Sequence, residues 1–320
     1  MTAATLTNLT THLDRIRQVY SQPFPNLMFE AQSVHRLHHN PLEMQLATLG
    51  NIKTGACPED CGYCAQSVHN QADLKPEPLM QIEPVLEEAR AAKEAGATRF
   101  CMGAAWREVK DGSQFDRVLE MVTAVAALDM EVCCTLGMLK PHQAAQLKQA
   151  GLTAYNHNLD TSPAYYDKII STRTYQDRLD TIAAVSAAGI SVCCGGIVGM
   201  GETETDRLEF LEALLKLDPP PESIPINCLI PIAGTPLENA LPVDPIELVR
   251  LIATTRILFP TSMVRLTAGR TLMSDELQTL CFLAGANSIF TGSVLLTAPN
   301  PSRDHDRELL AKLDIHPKTL

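Results

Sequence analysis

The sequence predicts an α/β protein, a (β/α)8 barrel of the TIM type with a helical N-terminal lead-in. Two patterns predict it. After about residue 44, short β-rich runs alternate with amphipathic helical stretches, at a spacing of roughly thirty residues. Eight such runs are readable, the number that closes a parallel barrel. An open doubly wound sheet is the alternative for the same alternation. The chain divides into a helical extension over 1–44, the barrel over 45–297 and a polar C-terminal tail over 298–320, expected to be partly flexible.

The strand candidates, in order, are Ala47–Ile52, Arg99–Met102, Glu131–Thr135, Ala154–Asn156, Ile190–Cys194, Ile224–Leu229, Val264–Leu266 and Ser288–Phe290. The helices between them carry start and stop signals. Pro84 suits a first helical position, with Val85, Leu86, Ala89 and Ala92 behind it and Gly96 closing. Thr174 with Asp177 forms a capping-box pattern ahead of Leu179, Ile182 and Ala183. Asp244 before Pro245 opens another helix, and Ser274 caps one more.

Composition excludes some functions. The 320 residues are 45 % hydrophobic, enough for a large core, and the net charge is −11. Such a surface argues against a nucleic-acid or anionic-membrane partner. No apolar run approaches the length of a membrane span, and Asp14, Arg15 and Arg17 sit where a secretory peptide would need an apolar core. Ten cysteines is many for such a chain. Disulfide frameworks belong to small secreted domains, which points to an intracellular, cytoplasmic protein with thiols held for packing or for metal.

The first metal pattern is Cys57-Pro58-Glu59-Asp60-Cys61-Gly62-Tyr63-Cys64. Three thiolates on a [4Fe–4S] cluster leave one iron open to another ligand. Zinc is the competing reading, because Cys3His sites are common and His69 follows five residues later. A second set lies on strands: Cys101, the pair Cys133/Cys134 and the pair Cys193/Cys194. Strand alternation lets only one member of each pair face the barrel interior, so three inward thiols can converge there or simply fill the core. His35, His38 and His39 read as a polar face of the lead-in helix rather than a metal site.

CxxxCxxC with Tyr63 before its last cysteine resembles the radical S-adenosylmethionine signature. The surrounding sequence resembles the biotin synthase family within it. The resemblance rests on Lys53–Cys61, Arg99–Trp106, Tyr155–Asp160, Gly195–Glu202, Val264–Arg270 and Gly285–Phe290, and runs from about residue 30 to 300. It implies sulfur insertion into dethiobiotin to give biotin, through a 5′-deoxyadenosyl radical. It implies a [4Fe–4S] cluster on Cys57, Cys61 and Cys64, with S-adenosylmethionine on the open iron. It further implies a sulfur-donating [2Fe–2S] cluster on Cys101, Cys133, Cys193 and Arg265. Arg265 is flanked by apolar Val264 and Leu266, so alternation can turn it inward, where a buried guanidinium needs an anion. Cys134, Cys194, Cys228 and Cys281 fall outside the pattern and read as structural.

The resemblance also assigns Asn158 and Asp160 to the nucleoside ribose, and Asn158 with Asn227 to the substrate's ureido ring. Arg178 would meet the methionine carboxylate, with a plain surface arginine as the alternative. Ile197 and Gly199 would lie against the adenosyl group, in a glycine-rich stretch that lacks the GxGxxG spacing of a dinucleotide turn. A homodimer and a flavodoxin-type electron donor are implied as partners. The rival readings are another radical S-adenosylmethionine enzyme, or a non-enzymatic iron–sulfur or zinc protein.

Overall fold

The computed structural model describes residues 11–319. Eight parallel strands close on themselves: β1 (Glu43–Lys53), β2 (Arg99–Ala104), β3 (Glu131–Thr135), β4 (Ala154–Asn156), β5 (Ser191–Cys193), β7 (Ser223–Cys228), β8 (Met263–Leu266) and β9 (Ser288–Phe290), with β9 pairing back onto β1. The barrel, not the open sheet, is the architecture.

One strand was not expected. β6 (Gly196–Val198) continues β5 after a break at Cys194-Gly195 and pairs with β7. The break has a steric cause: a Cβ on Gly195 would sit 1.9 Å from the Pro225 carbonyl oxygen of the adjacent strand. The glycines of this stretch therefore serve close strand packing.

The helices ring the barrel: α3 (Ile82–Glu94), α4 (Ser113–Ala126), α5 (Pro141–Gln149), α6 (Tyr175–Ala187), α7 (Glu204–Leu215), α8 (Pro245–Leu258) and α9 (Asp275–Leu283). Thr174 and Asp177 form the capping box of α6, Asp244 accepts two N–H bonds at the start of α8, and Ser274 caps α9. Helix α3 begins two residues before Pro84. The proline is still within the first turn, where N–H groups lack intrahelical acceptors and nothing is lost.

The lead-in forms α1 (His12–Tyr20) and α2 (Phe24–His38), packed on α7 and α8. Arg250 of α8 holds them by donating to the carbonyls of Tyr20 at 2.7 Å and Gln22 at 2.9 Å. The histidines at the end of the lead-in need a correction. His38 is exposed, but His35 is buried against α8, and His39 meets Arg256 Nη1 and the Pro260 carbonyl. Two of the three belong to a helix–helix contact instead of a polar face.

The tail also departs from expectation. A hairpin of β10 (Val294–Leu295) and β11 (Ala298–Pro299) spans the 297/298 boundary. Helix α10 (Arg303–Lys312) then buries Leu309 and Leu310, and β12 (His316–Pro317) pairs with the start of β1. Asp306 of α10 is buried against Arg270. The polar composition is real, but it describes the outer face of an attached helix.

Candidate active site: two thiol sets stacked in the barrel

The C-terminal ends of the strands frame a chamber of about 310 Å³, lined by the loop after β1, the β4 end, β6, the β7 end and the β10–β11 hairpin. This is where parallel barrels gather function. Cys57, Cys61 and Cys64 all face it. Their loop is fastened by its own backbone. Cys57 N–H donates to Gln66 O, Val68 N–H returns to Cys57 O, and Asn70 Nδ2 donates to the carbonyls of Cys61 and Cys64. Burial pushes the Cys61 thiol up to about 12 and the Cys64 thiol to about 11, and raises that of Cys57. Raised thiol pKa values mean that a metal centre binding here would release protons.

The loop is also tied to the segment before α6. Asp60 accepts N–H bonds from Ser171 at 2.9 Å and Thr172 at 3.1 Å. Glu59, buried, meets Thr172 Oγ1 and lies 3.3 Å from Arg107 Nη1 and 3.7 Å from Arg173 Nε. Arg173 lines the chamber and donates Nη2 toward Cys61 Sγ at 3.8 Å. Sequence reasoning missed Arg173, since an arginine just ahead of a capping box reads as solvent-facing.

Opposite the loop stands the β4 end. Asp160 and Arg178 form a buried ion pair, and Tyr63 OH donates to Asp160 Oδ2 at 3.0 Å. Arg178 Nε donates to Tyr166 OH at 3.0 Å, so it is no surface arginine. Asn158 Oδ1 accepts the Gly195 N–H at 3.0 Å, and Asn227 Nδ2 donates to Gly196 O at 2.9 Å. Asn158, Asp160, Arg178, Ile197 and Asn227 line the chamber together. Gly199 lies apart: its N–H is taken by the Glu202 carboxylate, and a Cβ there would come within 3.1 Å of Val243.

Below the chamber sits the second thiol set. Cys101, Cys133 and Ala154 pack together inside the barrel with Leu49 and Phe290. Cys134 and Cys194 lie instead in the outer core between strands and helices. Arg265, fully buried, aims Nη1 at Cys193 Sγ at 3.9 Å. Its other bonds go to neutral partners, Ser288 Oγ at 2.7 Å and Gln45 Oε1 at 2.9 Å. Gln45 passes the chain on to Glu131, which with Glu222 holds Arg99. These side chains form a floor across the N-terminal end of the barrel.

The donor chemistry fits iron–sulfur clusters better than zinc. His69 Nε2 is engaged with the Pro58 carbonyl at 3.2 Å. Among the described residues no three His, Cys, Asp or Glu side chains gather around a single-ion position. An iron–sulfur cluster takes one thiolate per iron, which suits three cysteines with no fourth ligand beside them. Arg265 supplies the sharper test. A buried cation needs compensation, and among the described residues no carboxylate pairs with it. Arg256, also without a carboxylate, has its N–H groups taken up by the carbonyls of Gly285, Phe259, Pro260 and Ser262 and by Asn287 Oδ1. Arg265 directs an N–H at a thiol, and an anionic cluster there would balance its charge.

Comparison with known proteins agrees with this architecture. Residues 51–214 match the radical SAM superfamily and residues 225–316 match the Biotin and Thiamin Synthesis associated domain. The chain is 68 % identical over 307 residues to a biotin synthase of Gloeobacter violaceus, covering 96 % of each protein. It is 60 % identical to one from Acidiphilium cryptum, covering 93 % of this chain and 92 % of that protein. In fold it is similar to methylornithine synthase, with TM-score 0.78, 18 % identity and 97 % and 94 % of the two chains covered. A hydrogenase maturase from Carboxydothermus hydrogenoformans superposes with TM-score 0.77 at 18 % identity, over 95 % of this chain and 75 % of that one. With both thiol sets in one barrel and identity of this order along nearly its whole length, the chain belongs to the biotin synthase family of radical S-adenosylmethionine enzymes, which convert dethiobiotin to biotin with iron–sulfur clusters.

Proposed function

We propose the following division of labour for sulfur insertion into dethiobiotin. Cys57, Cys61 and Cys64 hold a [4Fe–4S] cluster at the mouth, and Cys101, Cys133, Cys193 and Arg265 hold a [2Fe–2S] cluster beneath it. When bound, the clusters and S-adenosylmethionine supply the electron, the radical and the sulfur, chemistry that no side chain here offers. The chain's own residues position and insulate. Asn158 and Asp160 accept the ribose hydroxyls, Ile197 packs against the adenosyl group, and Arg178 faces the methionine carboxylate. Asn158 and Asn227 hold the ureido ring of dethiobiotin between the two clusters. Gly199 acts through the turn it makes with Glu202, one step removed from the ligand. The apolar walls exclude water, which protects reactive species.

The observation that supports this reading is the order of the site: Cys57, Cys61 and Cys64 at the chamber wall, Asn158, Asp160, Arg178 and Asn227 lining the same chamber, and the second thiol set with Arg265 inside the barrel. The test is an anaerobic assay of the reconstituted chain with dethiobiotin, S-adenosylmethionine and a reductant. Formation of biotin supports the reading; 5′-deoxyadenosine without biotin would remove the role given to the inner set.

The wider setting follows the family. A flavodoxin-type protein donates electrons, the chain works as a homodimer, and the compartment is the cytoplasm. The many cysteines, none in a small disulfide-dense domain, support the last point. The net charge of −11 supports the absence of a nucleic-acid partner. No described helix is long and apolar enough to cross a membrane.

A further inference from the structure

We propose that Arg173 is a positioning residue that raises the reduction potential of the cluster on the Cys57 loop, with Glu59 as its counterweight. This rests on the assignment of Cys57, Cys61 and Cys64 as that cluster's ligands. Arg173 Nη2 points at Cys61 Sγ from 3.8 Å, and its side chain is 7 % exposed. Its Nε is buried without a hydrogen-bond partner among the described residues, and lies 3.7 Å from Glu59 Oε2. Glu59 is 2 % exposed and is shared with Arg107 and Thr172.

The fastening explains why the geometry is dependable. Glu59 and Asp60 stand between the first two cysteines, and both bind the 171–173 segment. The arginine is therefore carried by the same loop whose sulfur it addresses. Arg178 spends its charge on Asp160, so Arg173 is the less compensated cation beside the thiols. An N–H bond to a ligand sulfur and a nearby buried cation both favour the more negative, reduced cluster, and a low dielectric strengthens each. Glu59 carries the opposite charge at nearly the same place and acts in the opposite direction.

The two residues therefore give opposite signs. In anaerobically reconstituted full-length protein, Arg173→Met should shift the midpoint potential to more negative values in an EPR-monitored redox titration. Glu59→Gln should shift it to more positive values, and Arg173→Lys should lie between Arg173→Met and the parent. Unchanged potentials overturn the proposal, and so do shifts of the same sign in Arg173→Met and Glu59→Gln, which would mean a loosened loop. If Arg173→Met does not retain iron, Arg173→Lys and Glu59→Gln decide by the same signs. The ligand assignment fails separately, by persistence of the titrated signal in Cys61→Ala.

Discussion

The hydroxyl of Tyr63 donates to Oδ2 of Asp160 at 3.0 Å, joining the cysteine loop to the end of β4 across the barrel mouth. The same carboxylate oxygen meets Arg178. Asp160 is itself held at φ 66°, a left-handed conformation uncommon outside glycine. One carboxylate thus ties the cysteine loop to the wall proposed to take the nucleoside.

Replacing Asp160 by Asn keeps its size but removes the charge that balances Arg178. S-adenosylmethionine should then bind at least about tenfold more weakly, roughly 1.4 kcal/mol. Anaerobic equilibrium dialysis with the reconstituted protein measures this. An unchanged dissociation constant would show that Asp160 acts only within the protein.

Cys61→Ala should abolish 5′-deoxyadenosine formation, because it removes one of only three thiolates from the loop. Iron analysis alongside product chromatography checks it. Retained cleavage of S-adenosylmethionine in the variant would sink the ligand role of Cys61.

The doubled cysteines give a paired test. Cys133 faces the interior with Cys101, while Cys134 packs in the outer core. Cys133→Ala should lose biotin formation while the Cys57 loop still binds its own cluster. Cys134→Ala should keep turnover and lose about 1 kcal/mol of stability through a small cavity. The reverse pattern of activities would move the inner ligand by one residue.

Breaking the Arg270–Asp306 pair probes the tail. Both groups are buried, so Asp306→Asn leaves an uncompensated guanidinium, at a cost of about 3–5 kcal/mol. Urea unfolding of parent and variant reads the difference. A change below about 1 kcal/mol would mean that α10 relaxes away and exposes the charge.

Helix α2 should make stability pH-dependent. Burial, then the Arg256 charge, pushes His35 down to about 3 and His39 to about 4. Both are neutral in the folded protein, whereas the unfolded chain takes up protons below its ordinary value of 6.5. Stability is therefore complete above pH 6.5 and declines as pH falls toward 4. Thermal unfolding between pH 7.5 and 5 should show a falling midpoint, with a shallower slope in His35→Leu. Parallel slopes would remove His35 from the account.

The barrel was legible because its signals are local. Thr174 with Asp177, Asp244 with Pro245, and Ser274 start helices by chemistry confined to a few residues. The β3, β4 and β9 spans coincide with the runs read from sequence. The parts that escaped depend on distant neighbours. β6 exists because Gly195 must clear Pro225, thirty residues away, and α10 is held by a charge on the far side of β9. In the site, the CxxxCxxC loop was plain. The choice between Cys133 and Cys134 was not, since alternation fixes that one faces inward but not which one. Arg173 escaped because its partners, Glu59 and Cys61, are more than a hundred residues earlier.

The closed floor has a consequence for assembly. Arg99, Gln45, Arg265 and Ser288 are each at most 5 % exposed and are joined through Glu131, so among the described residues a bonded layer lies across the N-terminal end of the barrel. On the proposed assignment, iron and sulfide for the inner thiols would enter by the chamber at the mouth, beside the Cys57 loop. Filling is then sequential by depth, like loading a tube with one open end.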